Sequence, residues 1–247
     1  MPYYSDRRSV VYQFGPGPLT PAVKLLLYAN VSMFVLTWLA PGLVVLLGLQ
    51  PYAVVEGLRL WQPVTYMFIH AGVMHILFNM LALWMFGVGL ERLWGRDFFL
   101  KYYFITGIGA AATTILLAFI PGAFGATMWM SVTVGASGAI YGLLVAYALY
   151  FPDVPIYLWA LIPIPARVFV LIMGAIAFMS SVSGNEGGIA NTAHLGGLVV
   201  GYVYLKTRGG RPLADLNYRY TKWRMNRVRR RFEVREGGRH DWDRRVH

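Results

Sequence analysis

The sequence has no cysteine and little charge. Without cysteine it has no disulfide framework, no thiolate nucleophile and no cysteine-bound zinc or iron–sulfur site. Charged residues make up 13% of the 247 positions, where a soluble globular chain carries about 25%. That supply cannot cover a water-facing surface. What is present instead is apolar: 57% of residues, with a mean hydropathy of +0.51. A bilayer is the solvent such a chain fits. The net charge of +11 sits mostly at one end, since from Lys206 onward there are 14 Lys/Arg against 5 Asp/Glu. The chain is a hydrophobic body with a basic tail.

Charges divide the body into blocks. None falls in 25–55, 60–90, 102–152, 168–185 or 187–205. A spanning helix needs about 20 apolar residues, so the run over 102–152 holds two helices and a turn, placed around Pro121–Thr133. The pattern predicts an all-α polytopic membrane protein with six transmembrane helices, at about 23–47, 73–91, 98–120, 134–151, 166–183 and 189–206. Its expected organisation is a segment 1–22, a membrane domain 23–206 and a basic tail 207–247. Basic residues concentrate in cytoplasmic segments. Arg7, Arg8, Lys24, Arg92, Arg96, Lys101, Arg167 and the tail then share one side, which puts both termini in the cytoplasm. The first apolar run is too long for a signal peptide and lacks a small-residue cleavage site.

In this topology the second, fourth and sixth helices run inward from the outer face. Their outer, N-terminal ends hold His75 and Asn79, Ser137, and His194. Polar groups within a span are costly and face a protein interior or a water-filled cavity, so three at one depth call for a shared use. His75 and Asn79 lie about 40° apart on one helix face. His70 is poorly spaced to share a metal with them, and no carboxylate completes a site, so no metal or cofactor is expected. Gly138 and Gly142 on the fourth helix, and Gly197 and Gly201 on the sixth, form small-xxx-small pairs that admit close helix approach. Such packing can bring a serine to a histidine, and a hydroxyl becomes a nucleophile when a base within hydrogen-bond reach takes its proton. Taken singly, each feature has a plainer reading: Ser137 bonded back to a carbonyl one turn earlier, His194 at a helix end, glycines for packing alone.

The chain resembles the rhomboid family of intramembrane serine proteases. The resemblance rests on Trp61-Gln62, His70-xxxx-His75-xxx-Asn79, Glu91-Arg92 with Trp94-Gly95, Gly135-Ala136-Ser137-Gly138 with Tyr141-Gly142, and Ala193-His194-Leu195-Gly196-Gly197. It implies Ser137 as nucleophile and His194 as general base, with Tyr141 stacked on the His194 ring. It also implies an oxyanion hole from His75, Asn79 and the Ser137 N–H, with Gly135 and His70 in support. No buried Asp stands beside His194, so packing is expected to replace the third member of the usual triad. By the same resemblance, residues 48–72 form an outer loop laid partly in the membrane with Trp61 as anchor. Residues 183–188, small and flexible, form either a cap over the site or a plain turn between helices, and the fifth helix a mobile side gate.

The implied function is endoproteolysis of single-pass or polytopic membrane-protein substrates near the outer face. The other readings are client binding without proteolysis, which the intact serine, histidine and oxyanion set disfavours, and transport, which lacks paired ionisable groups at the midplane. The basic tail, with Arg229-Arg230-Arg231 among Trp223, Met225, Val228 and Phe232, is expected to lie on anionic lipid; nucleic acid is not an expected partner. The compact core, with no evident transit peptide, sets the expectation of a multi-pass protein of a bacterial cytoplasmic membrane.

Overall fold

The computed structural model describes residues 16–158, 162–182 and 188–207. It is almost entirely helical, with α1 at Pro21–Leu39, α2 at Gly42–Leu47, α3 at Pro51–Val55, α4 at Gln62–Thr65, α5 at Val73–Trp94 and α6 at Arg96–Leu117. There follow α7 at Ala123–Met130, α8 at Ser137–Tyr150, an antiparallel hairpin of β1 (Pro155–Leu158) and β2 (Ile162–Pro165), α9 at Ala166–Val182 and α10 at Gly188–Thr207. Residues up to Leu205 make one compact unit; of the second, which starts at Lys206, only Lys206 and Thr207 are described. Residues 208–247 of the basic tail and 183–187 of the segment 183–188 lie outside the described residues, while Gly188 and Thr207 are the ends of α10.

Helices occur where the charge-free runs predict them, with three differences. The first expected helix breaks at Ala40, whose φ of −133° and ψ of 79° leave the helical region. Proline at 41 disfavours helical backbone in the residue before it, and α2 restarts beyond. The expected turn around Pro121–Thr133 contains a two-turn helix, α7, entered through Gly122 at φ +104°. The stretch between α8 and α9 is the β hairpin, whose three prolines and β-branched isoleucines suit strands better than helix.

Among the described residues three helices, α1, α5 and α6, are long and apolar enough to cross a membrane, and α8 and α9 are shorter apolar helices. Their outer faces expose Leu25, Val35, Trp38, Leu77, Phe78, Leu171, Phe178 and Met179. Contiguous apolar surface on this scale requires lipid around it; the chain is an integral membrane protein. Polar side chains point inward instead: Asn30, Gln62, Glu91, Thr106 and Thr114 are buried.

The centre is α8, packed against α5, α6 and α9, with every residue from Gly138 to Leu144 buried. The hydroxyl of Tyr102 on α6 donates to the carbonyl of Gly142 on α8 at 2.8 Å. The loop from α2 to α5 is held through backbone carbonyls that the end of α2 leaves without helical partners. Trp61 Nε1 and Gln62 Nε2 donate to Leu46 O at 2.9 and 3.2 Å, and the Thr65 hydroxyl to Leu47 O at 2.6 Å. Because orphaned backbone groups are expensive away from water, these side chains fix where the loop sits.

At the far end a single residue, Gly95 at φ +81°, joins α5 to α6. Beside it, buried Glu91 receives the first N–H groups of α1: Ala22 N donates to Oε1 at 2.8 Å and Val23 N to Oε2 at 2.9 Å, and the Thr20 hydroxyl also donates to Oε2. Arg92 donates to the carbonyls of Pro16 and Pro18 at 2.6 and 2.9 Å. A carboxylate at a helix N-terminus satisfies orphan donors and complements the dipole. Glu91→Ala is therefore expected to destabilise the protein by about 2–3 kcal/mol, read as loss of thermal stability in detergent, with Glu91→Gln retaining part of it.

Candidate active site

The site is built where α5, α8 and α10 begin. Ser137 is the first residue of α8, preceded by Gly135 at φ +123° and Ala136. The Gly135 N–H donates to Tyr66 O at 2.9 Å, and the Tyr66 hydroxyl donates to Gly107 O on α6 at 2.7 Å. One tyrosine thus pins the loop that delivers the serine. Gly135 is needed twice over: its φ disfavours any side chain, and a Cβ there would stand 2.8 Å from His75 Nε2. The same hypothetical atom lies 3.6 Å from Ser137 Oγ, so His75 Nε2 and the Ser137 hydroxyl flank one small space.

Helix α10 meets α8 without side chains between them. A Cβ at Gly197 would fall 2.0 Å from Gly138 O, and one at Gly201 would fall 3.0 Å from Gly142 Cα. That approach carries His194 to the serine, with Nε2 and Ser137 Oγ 2.7 Å apart. The ring of Tyr141, one turn below Ser137, stacks on the His194 ring with centroids 4.3 Å apart and planes 4° from parallel. The other ring nitrogen, Nδ1, lies 3.1 Å from Asn191 Oδ1.

On α5, the backbone N–H of Ala71 donates to His75 Nδ1 at 3.3 Å, which leaves the proton of a neutral ring on Nε2, the atom beside Gly135. Asn79 is buried and spends one amide hydrogen on His75 O at 2.9 Å, keeping the second for another acceptor. No side chain caps α8. The N–H groups of its first turn have no acceptor within the helix and carry the positive end of its dipole. The space beside Ser137 is therefore lined by donors and suits an atom that gains negative charge.

His70 precedes α5 and lies edge-on to His75, with ring centroids 5.1 Å apart. Burial, and then the neighbouring His75, pull its imidazole from 6.5 to about 4. Its contact with His75 is between ring edge and ring face.

The structure thus brings Ser137, His194, Tyr141, His75, Asn79, Gly135 and His70 into one neighbourhood. Asn191 is the residue that sequence reasoning missed. Its signal is the i, i+3 spacing to His194, legible in Ala190-Asn191-Thr192-Ala193-His194, although an uncharged amide in an apolar run does not mark itself as a partner for an imidazole.

A rhomboid domain model matches residues 57–211. The chain is 32% identical over 151 residues to the rhomboid protease AarA of Providencia stuartii, covering 57% of this chain and 53% of that protein. It is 32% identical over 142 residues to the rhomboid protease GluP of Bacillus subtilis, covering 58% and 25%. With the mitochondrial RHOMBOID-like protein 6 of Arabidopsis thaliana it shares 30% over 151 residues, covering 60% and 44%. The chain spans about half or less of the length of these relatives.

Because the neighbour of Gly197 is backbone that cannot swing aside, Gly197→Ala is expected to cost at least about 1–3 kcal/mol. It should also cut the reactivity of Ser137 toward a fluorophosphonate. Gly174→Ala is the matched control, since its Cβ would meet only the tip of Leu198 at 3.4 Å; melting and labelling rates of the two variants should diverge.

Proposed function

Because this chain belongs to the rhomboid family, we propose that it is a serine-type intramembrane endopeptidase cutting membrane-protein substrates near the outer membrane face. The observation that carries the proposal is the 2.7 Å contact of His194 Nε2 with Ser137 Oγ, at the ends of two helices packed glycine to glycine. The relatives named as proteases support the same reading.

In this reaction Ser137 Oγ attacks the scissile carbonyl carbon while its proton passes to His194 Nε2. The carbonyl oxygen becomes an oxyanion held by His75 Nε2–H, the second Asn79 amide hydrogen and the Ser137 N–H. Collapse breaks the C–N bond, and His194 returns the proton to the leaving amine. Water then attacks the acyl-enzyme with His194 again as base, which releases the carboxylate product and restores the serine. Tyr141 keeps the histidine ring in plane through both half-reactions, Gly135 leaves room for His75, and His70 backs His75.

The proposed topology has α1, α5, α6, α8, α9 and α10 crossing the membrane with both termini in the cytoplasm. Arg92 and Arg96 then lie at the inner end of α5 and α6, and the site at the opposite end of α5. Helix α8, with 14 residues, is about 21 Å long at 1.5 Å per residue, short of a hydrocarbon core about 30 Å thick. The segment 131–136 completes the crossing, so Ser137 is recessed below the outer surface, in a hollow that water reaches from above. A substrate helix has to unwind there to present an extended peptide, which favours small residues at the cut. Helix α9 is the proposed side gate, and a bacterial cytoplasmic membrane the proposed location. Trp61, about half exposed on the loop between α2 and α5, is placed to sit at the outer interface.

Purified protein in detergent is expected to label with a fluorophosphonate, and Ser137→Ala and His194→Ala to abolish labelling. Asn79→Ala should lower the cleavage rate by about 10²–10³, the usual cost of one oxyanion donor at ~2.7–4 kcal/mol. Folded protein that takes no label with its pocket open to the probe would move the function from proteolysis to client binding.

A further inference from the structure

The His194 ring makes three contacts, and each constrains a different property. The stack on Tyr141, with planes 4° apart, fixes the plane of the ring. The 2.7 Å approach to Ser137 Oγ fixes which edge faces the serine. Neither contact selects which nitrogen carries the proton, because a stack is indifferent to it and a hydroxyl can donate or accept. A base must meet the serine with an unprotonated Nε2, so the proton of the neutral ring has to reside on Nδ1. There the structure supplies one specific partner: Asn191 Oδ1, 3.1 Å away. Asn191 and His194 are three residues apart on α10 and so share a helix face.

Resting on the protease reading above, we propose that Asn191 is the positioning residue of the Ser137–His194 pair, its side-chain carbonyl accepting the Nδ1 proton and holding the ring in the tautomer that can act as a base. An amide suits the site better than the carboxylate of a water-exposed triad. A carbonyl oxygen is an acceptor with no net charge, whereas a carboxylate at membrane depth needs a countercharge, and no charged residue falls in 187–205. Asn191 stays bound to Nδ1 while the ring is protonated in each half-reaction, so the ring returns to the same tautomer when the proton leaves Nε2.

The test uses the full chain in detergent micelles, with Asn191→Leu, similar in size but lacking the acceptor, and Asn191→Asp, which keeps it. Two readouts are taken beside a thermal melt of each variant. The first is the tautomer of His194 by 15N NMR of histidine-labelled protein, assigned by loss of its signals in His194→Ala; it needs no turnover. The second is fluorophosphonate labelling, in which the Ser137 Oγ–P bond forms, the P–F bond breaks, fluoride leaves and the hydroxyl proton passes to His194. The expected result is an Nδ1–H tautomer in the native protein that is lost in Asn191→Leu. The maximal labelling rate of that variant should fall by about ten- to a hundredfold at unchanged probe affinity, with Asn191→Asp recovering both the tautomer and much of the rate. An Asn191→Leu protein that melts like the native one and keeps both the Nδ1–H tautomer and the labelling rate overturns the proposal. Native protein that shows the Asn191-dependent tautomer yet takes no label would support the Asn191 contact while removing the protease reading, so the two failures are distinct.

Discussion

A methyl group on Gly197 would sit 2.0 Å from the carbonyl oxygen of Gly138, and its absence sets how close α8 and α10 come. The serine and the histidine are on different helices 57 residues apart, with no covalent or ionic tie between them. The glycines of α10 bring that helix onto the backbone of α8, while the vacant sides of Gly138 and Gly142 receive Ala110 and Thr106 of α6. Gly142 and Gly201 repeat the device one turn further along, with Tyr102 bonding to the carbonyl of Gly142 from α6. The hydrogen bond at the site is a consequence of that packing. Nothing in the bond itself could draw the helices together against a poorly fitting interface.

A second constraint comes from the solvent. Away from water an unpaired backbone group is expensive, and the irregular parts of this chain show how that cost is met. The broken end of α2 offers carbonyls to Trp61, Gln62 and Thr65; the start of α1 gives its N–H groups to Glu91. The start of α8 has no capping side chain, as is also true of α5, α6 and α7. Its first-turn donors lie beside Ser137, which is where a developing oxyanion would need them.

Much of this was legible in the sequence because the membrane makes it so. Charge-free runs have to be helices there, and a polar residue inside one has to have a reason. The pairs Gly138/Gly142 and Gly197/Gly201 announced close packing, and the family resemblance tied Ser137 to His194. The break at Pro41 was also in the sequence, yet it was read through as one helix because apolar character continues on both sides. Helix α7 and the β hairpin escaped for a similar reason: hydropathy does not separate a short helix or a strand from a turn when all are apolar. The role of Tyr66 in pinning Gly135 could not be read at all, since it depends on a contact between residues 69 positions apart. Asn191 stands in plain view, but an amide carries no charge that would mark it as the partner of a histidine.

The joint at Gly95 has a mechanical side. His75 is 20 residues along α5 from that single-residue link, about 30 Å at 1.5 Å per residue. With an arm that long, a tilt of about 2° at the joint displaces the histidine by about 1 Å, and the proposed oxyanion role would require it to be held to about 0.5 Å. The hinge end therefore cannot be the source of accuracy at the working end. Registration has to come from beside the helix, through the packing of α5 against α1, α6 and α8 and the space left open for His75 at Gly135. The long helix is a boom whose tip is moored where it is used.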